Sequence, residues 1–219
     1  MELLQLLKRD LKIISSKIFE VLNVVIFFVI TCFTFSFSFS GQVDIKTASA
    51  VIIVCFMLSS NLSSRFIFEK DMESGVLQQL FLNLRSLNNL VMAKILAQFL
   101  AFGLALCVAV FVSSIFFNIG FDDMILLVKI IIPTSFVLSI ISVMMAGITA
   151  GLKAGAIISI ILSLPLYIPI IILNLSNIAA ENISEFNYWN YLTTIAGFCL
   201  VILPLSIFSV RQTIRNAVS

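Results

Sequence analysis

The chain alternates long apolar runs with short polar interruptions, and the lengths of both carry information. Leu3, Leu4, Leu7, Leu11, Ile14 and Ile18 recur near helical spacing, with Lys8, Arg9, Lys12 and Lys17 interleaved. That pattern predicts a basic amphipathic helix over residues 1–20, lying in a membrane interface. Six apolar runs follow, at about residues 21–40, 47–64, 93–118, 124–150, 156–174 and 191–210. Runs of roughly 18 residues or more with few charges are long enough to cross a bilayer as helices. The first run ends in TFSFSFSG, an alternation that looks strand-like. An isolated strand would leave its backbone unpaired in lipid, so this stretch is read as helix continuing to the outer interface. The expected fold is all-α: one integral membrane domain over residues 1–219 with six transmembrane helices.

Composition agrees with that reading. Hydrophobic residues make up 61% of the 219 and charged residues 11%, whereas a soluble domain carries about 25% charged residues. The formal net charge of +2 points to no nucleic-acid partner, and the positions of the charges matter more. Lys8, Arg9, Lys12, Lys17, Arg65, Lys70, Arg85, Lys94, Lys153, Arg211 and Arg215 fall on one side of the six-run alternation, and only Lys46 and Lys129 fall toward the other. The positive-inside rule then places both termini in the cytoplasm. Histidine is absent, which removes the commonest metal ligand and general base. No GxxxxGK[ST] phosphate loop and no cleavable signal peptide is evident, and the chain is not expected to be an enzyme. Cys32, Cys55, Cys107 and Cys199 all lie within apolar runs and read as small apolar fillers.

One interruption stands out. Arg65, Glu69, Lys70, Asp71 and Glu73 place five ionisable groups in nine residues. At about 2.5–3.5 kcal/mol for each such charge at mid-span, the cluster would cost on the order of 10 kcal/mol in lipid, so it lies outside the bilayer. Gly75 follows, and then Leu77, Leu80, Phe81, Leu84, Leu87 and Val91 repeat at helical spacing. The connection over residues 65–92 thus combines an acidic stretch, a glycine and a short amphipathic helix. Periodicity leaves two readings open: an interfacial helix that eases passage into the third span, or a docking element gripped by a soluble partner.

Two stretches carry a resemblance. Phe68 with DMESGVLQQL (71–80), followed by Ala93-Lys94, and GLKAGAIISIILSLPLYIP (151–169) resemble the haem exporter protein B family, CcmB, of cytochrome c maturation. The family commonly has prolines after the first motif, where this chain has FLNLRSLNNL, and a charged pair where Arg65-Phe66 stands. The resemblance implies the permease-like subunit of an ABC-type complex with the fold of type-2 ABC exporters. It implies a bacterial inner-membrane location and a cytoplasmic ABC ATPase partner that binds the ATP. The other implied partners are a tryptophan-rich haem-handling membrane subunit, a small membrane subunit, a periplasmic haem chaperone and a second copy of this chain. Haem would be the handled species, with no cofactor resident in this chain. Asp71, Glu73, Gly75, Leu77, Gln79 and Leu80 are then the candidates for coupling to the ATPase, with Lys153 as a secondary contact. Pro165, Tyr167 and Pro169 are the candidate hinge or path-lining residues, because each proline removes a backbone donor and Tyr167 places a hydroxyl in the bilayer. A permease for lipid or drug, and a non-transport scaffold for assembly factors, are the alternative readings.

Smaller features complete the picture. Gly147, Gly151 and Gly155 are spaced by four; Gly147 reads as a helix-packing residue and the other two as parts of a tight turn. Lys129 lies near the outer end of its span and can snorkel. Met144 and Met145 read as packing residues, with haem ligation as the sharper alternative. FNYWNY, with Phe186, Tyr188, Trp189 and Tyr191, reads as an aromatic belt anchoring the sixth span. Asn174-Leu175-Ser176 and Asn182-Ile183-Ser184 match the glycosylation pattern.

Overall fold

The computed structural model describes residues 2–39, 43–68, 87–149, 152, 155–179 and 188–218. Every regular element among them is helical. Helix α1 (Glu2–Ser16) ends where Ser15 and Ser16 turn their hydroxyls back onto the carbonyls of Lys12 and Ile13, at 2.9 and 2.6 Å. Lys17 then leaves helical geometry (φ −116°, ψ 39°), and α2 (Ile18–Ser38) starts in a new direction. The TFSFSFSG stretch is helical through Ser38, as its lipid setting requires. Helix α3 (Ile45–Leu62) tightens into a 3-10 turn at Ser63–Phe66. The third span is one rod in three parts: α4 (Leu87–Gln98), a π-helical segment (Phe99–Gly103) and α5 (Leu104–Phe116). Helices α6 (Phe121–Ile148), α7 (Gly155–Ala179) and α8 (Tyr188–Val218) follow. Six of these rods are long and apolar enough to cross a membrane.

Helix α6 is the hub. It packs against α8, α7, α3 and the three parts of the third span, and it is apolar on every side. Helix α2 closes the far flank against α5 and α3. There Phe28 meets Phe56 edge-on at 6.3 Å, and Ser36 Oγ donates to the Phe116 carbonyl at 2.5 Å. The outward faces of α2, α7 and α8 remain apolar and exposed, as lipid-facing surfaces do. The turn between α5 and α6 is short. Asn118 takes the left-handed conformation (φ 53°), its N–H bonds the Ile115 carbonyl, and the Ile119 N–H bonds the Ser114 carbonyl. This is a Schellman closure that satisfies two otherwise orphaned carbonyls.

Two expectations about the end near Asn174 and Tyr191 change. Asn174 lies inside α7 and is 0% exposed, so it is no glycosylation acceptor. Tyr191 is 1% exposed and does not belong to an aromatic belt, unlike the exposed Trp189 beside it. The Tyr191 hydroxyl lies 2.8 Å from each of the Ile130 carbonyl, Asn174 Oδ1 and Thr134 Oγ1. Pro133 has no N–H to give the Lys129 carbonyl, and the next carbonyl, that of Ile130, accepts from both the Tyr191 hydroxyl and Thr134 Oγ1, the latter at 2.9 Å. Asn182 and Phe186 lie outside the described residues.

The glycines behave as their spacing suggests. A Cβ on Gly147 would fall 2.4 Å from Val210 Cγ2, so α6 and α8 meet there nearly backbone to side chain. A Cβ on Gly155 would fall 2.3 Å from the Thr149 carbonyl oxygen, a backbone atom in the turn that joins α6 to α7. Gly151 lies outside the described residues.

Gly155→Ala is expected to lower stability in detergent by about 1–3 kcal/mol, because a backbone oxygen cannot rotate away, whereas Gly197→Ala, with nothing within 4 Å of its Cβ, shows no loss. Tyr191→Phe costs about 0.6–1.7 kcal/mol in a denaturant titration, the range for a polar contact between membrane helices. A cost near zero would mean that the three-helix hydroxyl node carries no stability.

Candidate functional site

The described chain stops at Phe68 and resumes at Leu87. Asp71, Glu73, Gly75, Leu77, Gln79 and Leu80 lie between those points, outside the described residues, and so does Lys153. What the structure describes is the frame that holds the connection. The third-span helix is already formed at Leu87, ahead of the Ala93 boundary expected from hydropathy, and Leu90 and Val91 are buried within it.

Lys94 sits at the centre of this frame. It lies two turns into α4 and is only 5% exposed. Its Nζ donates to the Ile67 carbonyl at 2.9 Å, lies 4.8 Å from the centroid of the Phe68 ring, and lies 3.9 Å from Asp10 Oδ2. Asp10, also 5% exposed, takes both Arg9 Nε (2.9 Å) and Nη2 (2.6 Å) on Oδ1, while its Oδ2 has no hydrogen-bond partner. Leu6, one turn before Asp10, is buried with Phe68, Leu90, Val91, Ile140, Val143 and Val210 in one apolar cluster. Helix α1 is therefore docked onto α4 and does not merely float in the interface. Its buried stripe runs through Leu6 and Asp10; Leu4, expected on that stripe, is 57% exposed.

A second set of polar groups joins the base of the connection to α7. Ser63 donates to the Ser60 carbonyl at 2.6 Å and accepts from Gln98 Nε2. Ser163 Oγ donates to Asn61 Oδ1 at 2.7 Å, Asn61 Nδ2 donates to the Ile160 carbonyl at 3.3 Å, and Ser159 reaches Ser64 at 3.5 Å. All these groups lie on the buried side of their helices, where a hydroxyl shared between helices holds them together in place of water. Tyr167 belongs to the same ladder. It is buried one turn beyond Ser163, with its hydroxyl 3.5 Å from Ser142 Oγ on α6, so it faces protein and not lipid. Pro165 and Pro169 are exposed on the lipid side of α7, which stays helical through both. The structure therefore brings Tyr167 to the connection's serine ladder and keeps the two prolines away from it.

Hydropathy and charge patterns register Lys94 only as one term in an asymmetry and say nothing of Asp10. The available signal was Asp10 itself, an acid in a basic helix, spaced i+4 from an apolar residue that proves to be buried. As for chemistry, no group of three or more metal-ligating acids or cysteines occurs among the described residues. Met144 and Met145 are buried in the main core cluster. The recess lined by Ile30, Thr31, Thr34, Phe35 and Ser38 is formed by a single helix, and its threonine hydroxyls are committed to their own helix at 2.7 and 2.8 Å. The described residues form a charged and hydroxylated collar around Ile67 and Phe68.

The family model described as CcmB protein matches residues 1–217. Heme exporter protein B of Haemophilus influenzae is 34% identical over 105 residues, which cover 47% of this chain and 48% of that protein. The chain thus spans about half the length of the curated relative it matches. With the family model taking in α1, all six membrane rods and the polar connection, the chain belongs to the CcmB protein family.

Proposed function

We propose that this chain is the permease-like membrane subunit of an ABC-type complex that exports haem or delivers it to a periplasmic chaperone during cytochrome c maturation. The observation that carries this reading is the family match over residues 1–217, and the name of the Haemophilus influenzae relative points the same way. The membrane is the bacterial inner membrane, with both termini cytoplasmic, in accord with the eleven basic residues on one side. ATP is hydrolysed by a separate cytoplasmic subunit. Haem is the cargo; the absence of histidine fits a division of labour in which a tryptophan-rich membrane subunit holds it. A small membrane subunit and a second copy of this chain complete the assembly.

Coupling runs through residues 65–92. Asp71 and Glu73 supply charge to the ATPase surface, and Gly75, Leu77, Gln79 and Leu80 supply shape, with Lys153 making a second contact from the turn between α6 and α7. The collar supports this role, because it fastens the root of the connection to α1, α4 and α7 by contacts that a movement of the root must strain. Pro165, Tyr167 and Pro169 form the hinge. Two missing ladder donors make α7 compliant on its lipid side, while Tyr167 keeps the helix registered against α6.

Two measurements test the proposal. Asp71→Lys with Glu73→Lys, assayed in the assembled complex, leaves ATP hydrolysis running while cytochrome c maturation falls at least about ten-fold, within the roughly 5–150-fold range of a coupling between sites. Unchanged maturation in a stable complex overturns the coupling assignment. A cysteine placed at position 71 reacts with an impermeant maleimide only from the cytoplasmic face; labelling from the other face reverses the topology.

A further inference from the structure

The Asp10–Lys94 contact is poor as a stabilising ion pair. A well-made buried pair closes its N–O distance to about 2.8 Å and satisfies every lone pair, whereas here Nζ stands 3.9 Å from an Oδ2 that has no hydrogen-bond partner. Both side chains are nonetheless almost wholly buried. Replacing such a pair with apolar groups is often neutral or stabilising, so stability alone does not account for it. Its position does. The short bond of Lys94 goes to the carbonyl of Ile67, in the segment that becomes the polar connection, and its ammonium faces the Phe68 ring. The carboxylate it faces at longer range belongs to α1. Lys94 therefore faces an acceptor on the root of the connection and another on the N-terminal helix. A displacement of Ile67 that lengthens the first contact frees the ammonium to close the second.

We infer that Asp10 and Lys94 are positioning residues that pass a displacement of the cytoplasmic connection to α1. The inference rests on the coupling reading of that connection. The apolar cluster carries the motion onward, since Leu6 of α1 and Phe68 pack with Ile140 and Val143 of α6 and Val210 of α8. The geometry makes two demands. Charge at both positions is needed for the exchange, and an arginine at position 94 keeps it, because a guanidinium can still donate to a carbonyl and face a carboxylate.

The test uses the full complex in membranes, with the four native cysteines replaced by alanine and an environment-sensitive thiol dye on Leu4→Cys, which is exposed on α1. A second preparation carries the dye within the connection, on Asn83→Cys. A non-hydrolysable ATP analogue is then added. In the otherwise unmodified complex both dyes respond. In the double variant Asp10→Asn/Lys94→Met, which leaves no lone buried charge to unfold the chain, the dye on the connection still responds. The α1 signal falls by about five-fold or more, within the range by which intermediate residues modulate coupling. In Lys94→Arg the α1 signal returns. An undiminished α1 response in the double variant overturns this inference and leaves the coupling reading intact. No response from the dye on the connection in the unmodified complex overturns the coupling reading, and the inference falls with it.

Discussion

Hydrocarbon offers a buried polar group nothing to bond, and it offers two apolar helices no reason to associate. Everything that holds this bundle together works within that constraint. Backbone groups are satisfied inside each rod. Between rods the work falls to close approach and to hydroxyls that bridge them. Gly147 lets α6 come against Val210 of α8, and Tyr191 of α8 donates to the Ile130 carbonyl of α6. Serines at positions 63, 64, 159 and 163 tie α3 and its 3-10 turn to α4 and α7. Aromatic pairs such as Phe28–Phe56 fill the space that remains.

The two ends of the bundle use this chemistry differently. At the end away from most of the basic residues a Schellman turn at Asn118 and the Thr134–Asn174–Tyr191 node fix four rods with direct bonds. At the basic end the contacts are more varied: a shared ammonium, a ring beneath it, and serine contacts of 2.6 to 3.5 Å. That is the end where the chain departs into its most polar connection.

Much of this architecture could be read from the residues. Six runs gave six rods, because run length against bilayer thickness is a nearly complete argument. Gly155 was legible as a turn residue, and the backbone of Thr149 shows why. The contacts between rods were not legible, and the reason is rotational phase. Helix α6 is apolar on every side, so nothing in its pattern says which face meets α7 or α8. Tyr191 looked like a belt residue because it stands near Trp189, yet a rotation of about 100° per residue is enough to separate lipid from core. Asp10 and Lys94 lie 84 positions apart, and no periodicity spans that interval. The acidic connection stands out by composition, and its charged residues from Glu69 onward lie outside the described residues, so the collar around its root is the part of the candidate site that structure adds.

The π-helical segment at Phe99–Gly103 sets the angular offset between the halves of the third span. A π turn accommodates an extra residue, and each residue of an α-helix advances the face by about 100°. Lys94 below the segment faces Asp10, while Leu106 and Val110 above it face the main core. If one residue were lost from those five, the rod would become a regular helix and its lower half would swivel by that angle. The ammonium would then point away from the N-terminal helix while the upper half stayed seated, so the segment acts as a phase shifter that lets one rod serve two differently oriented neighbourhoods.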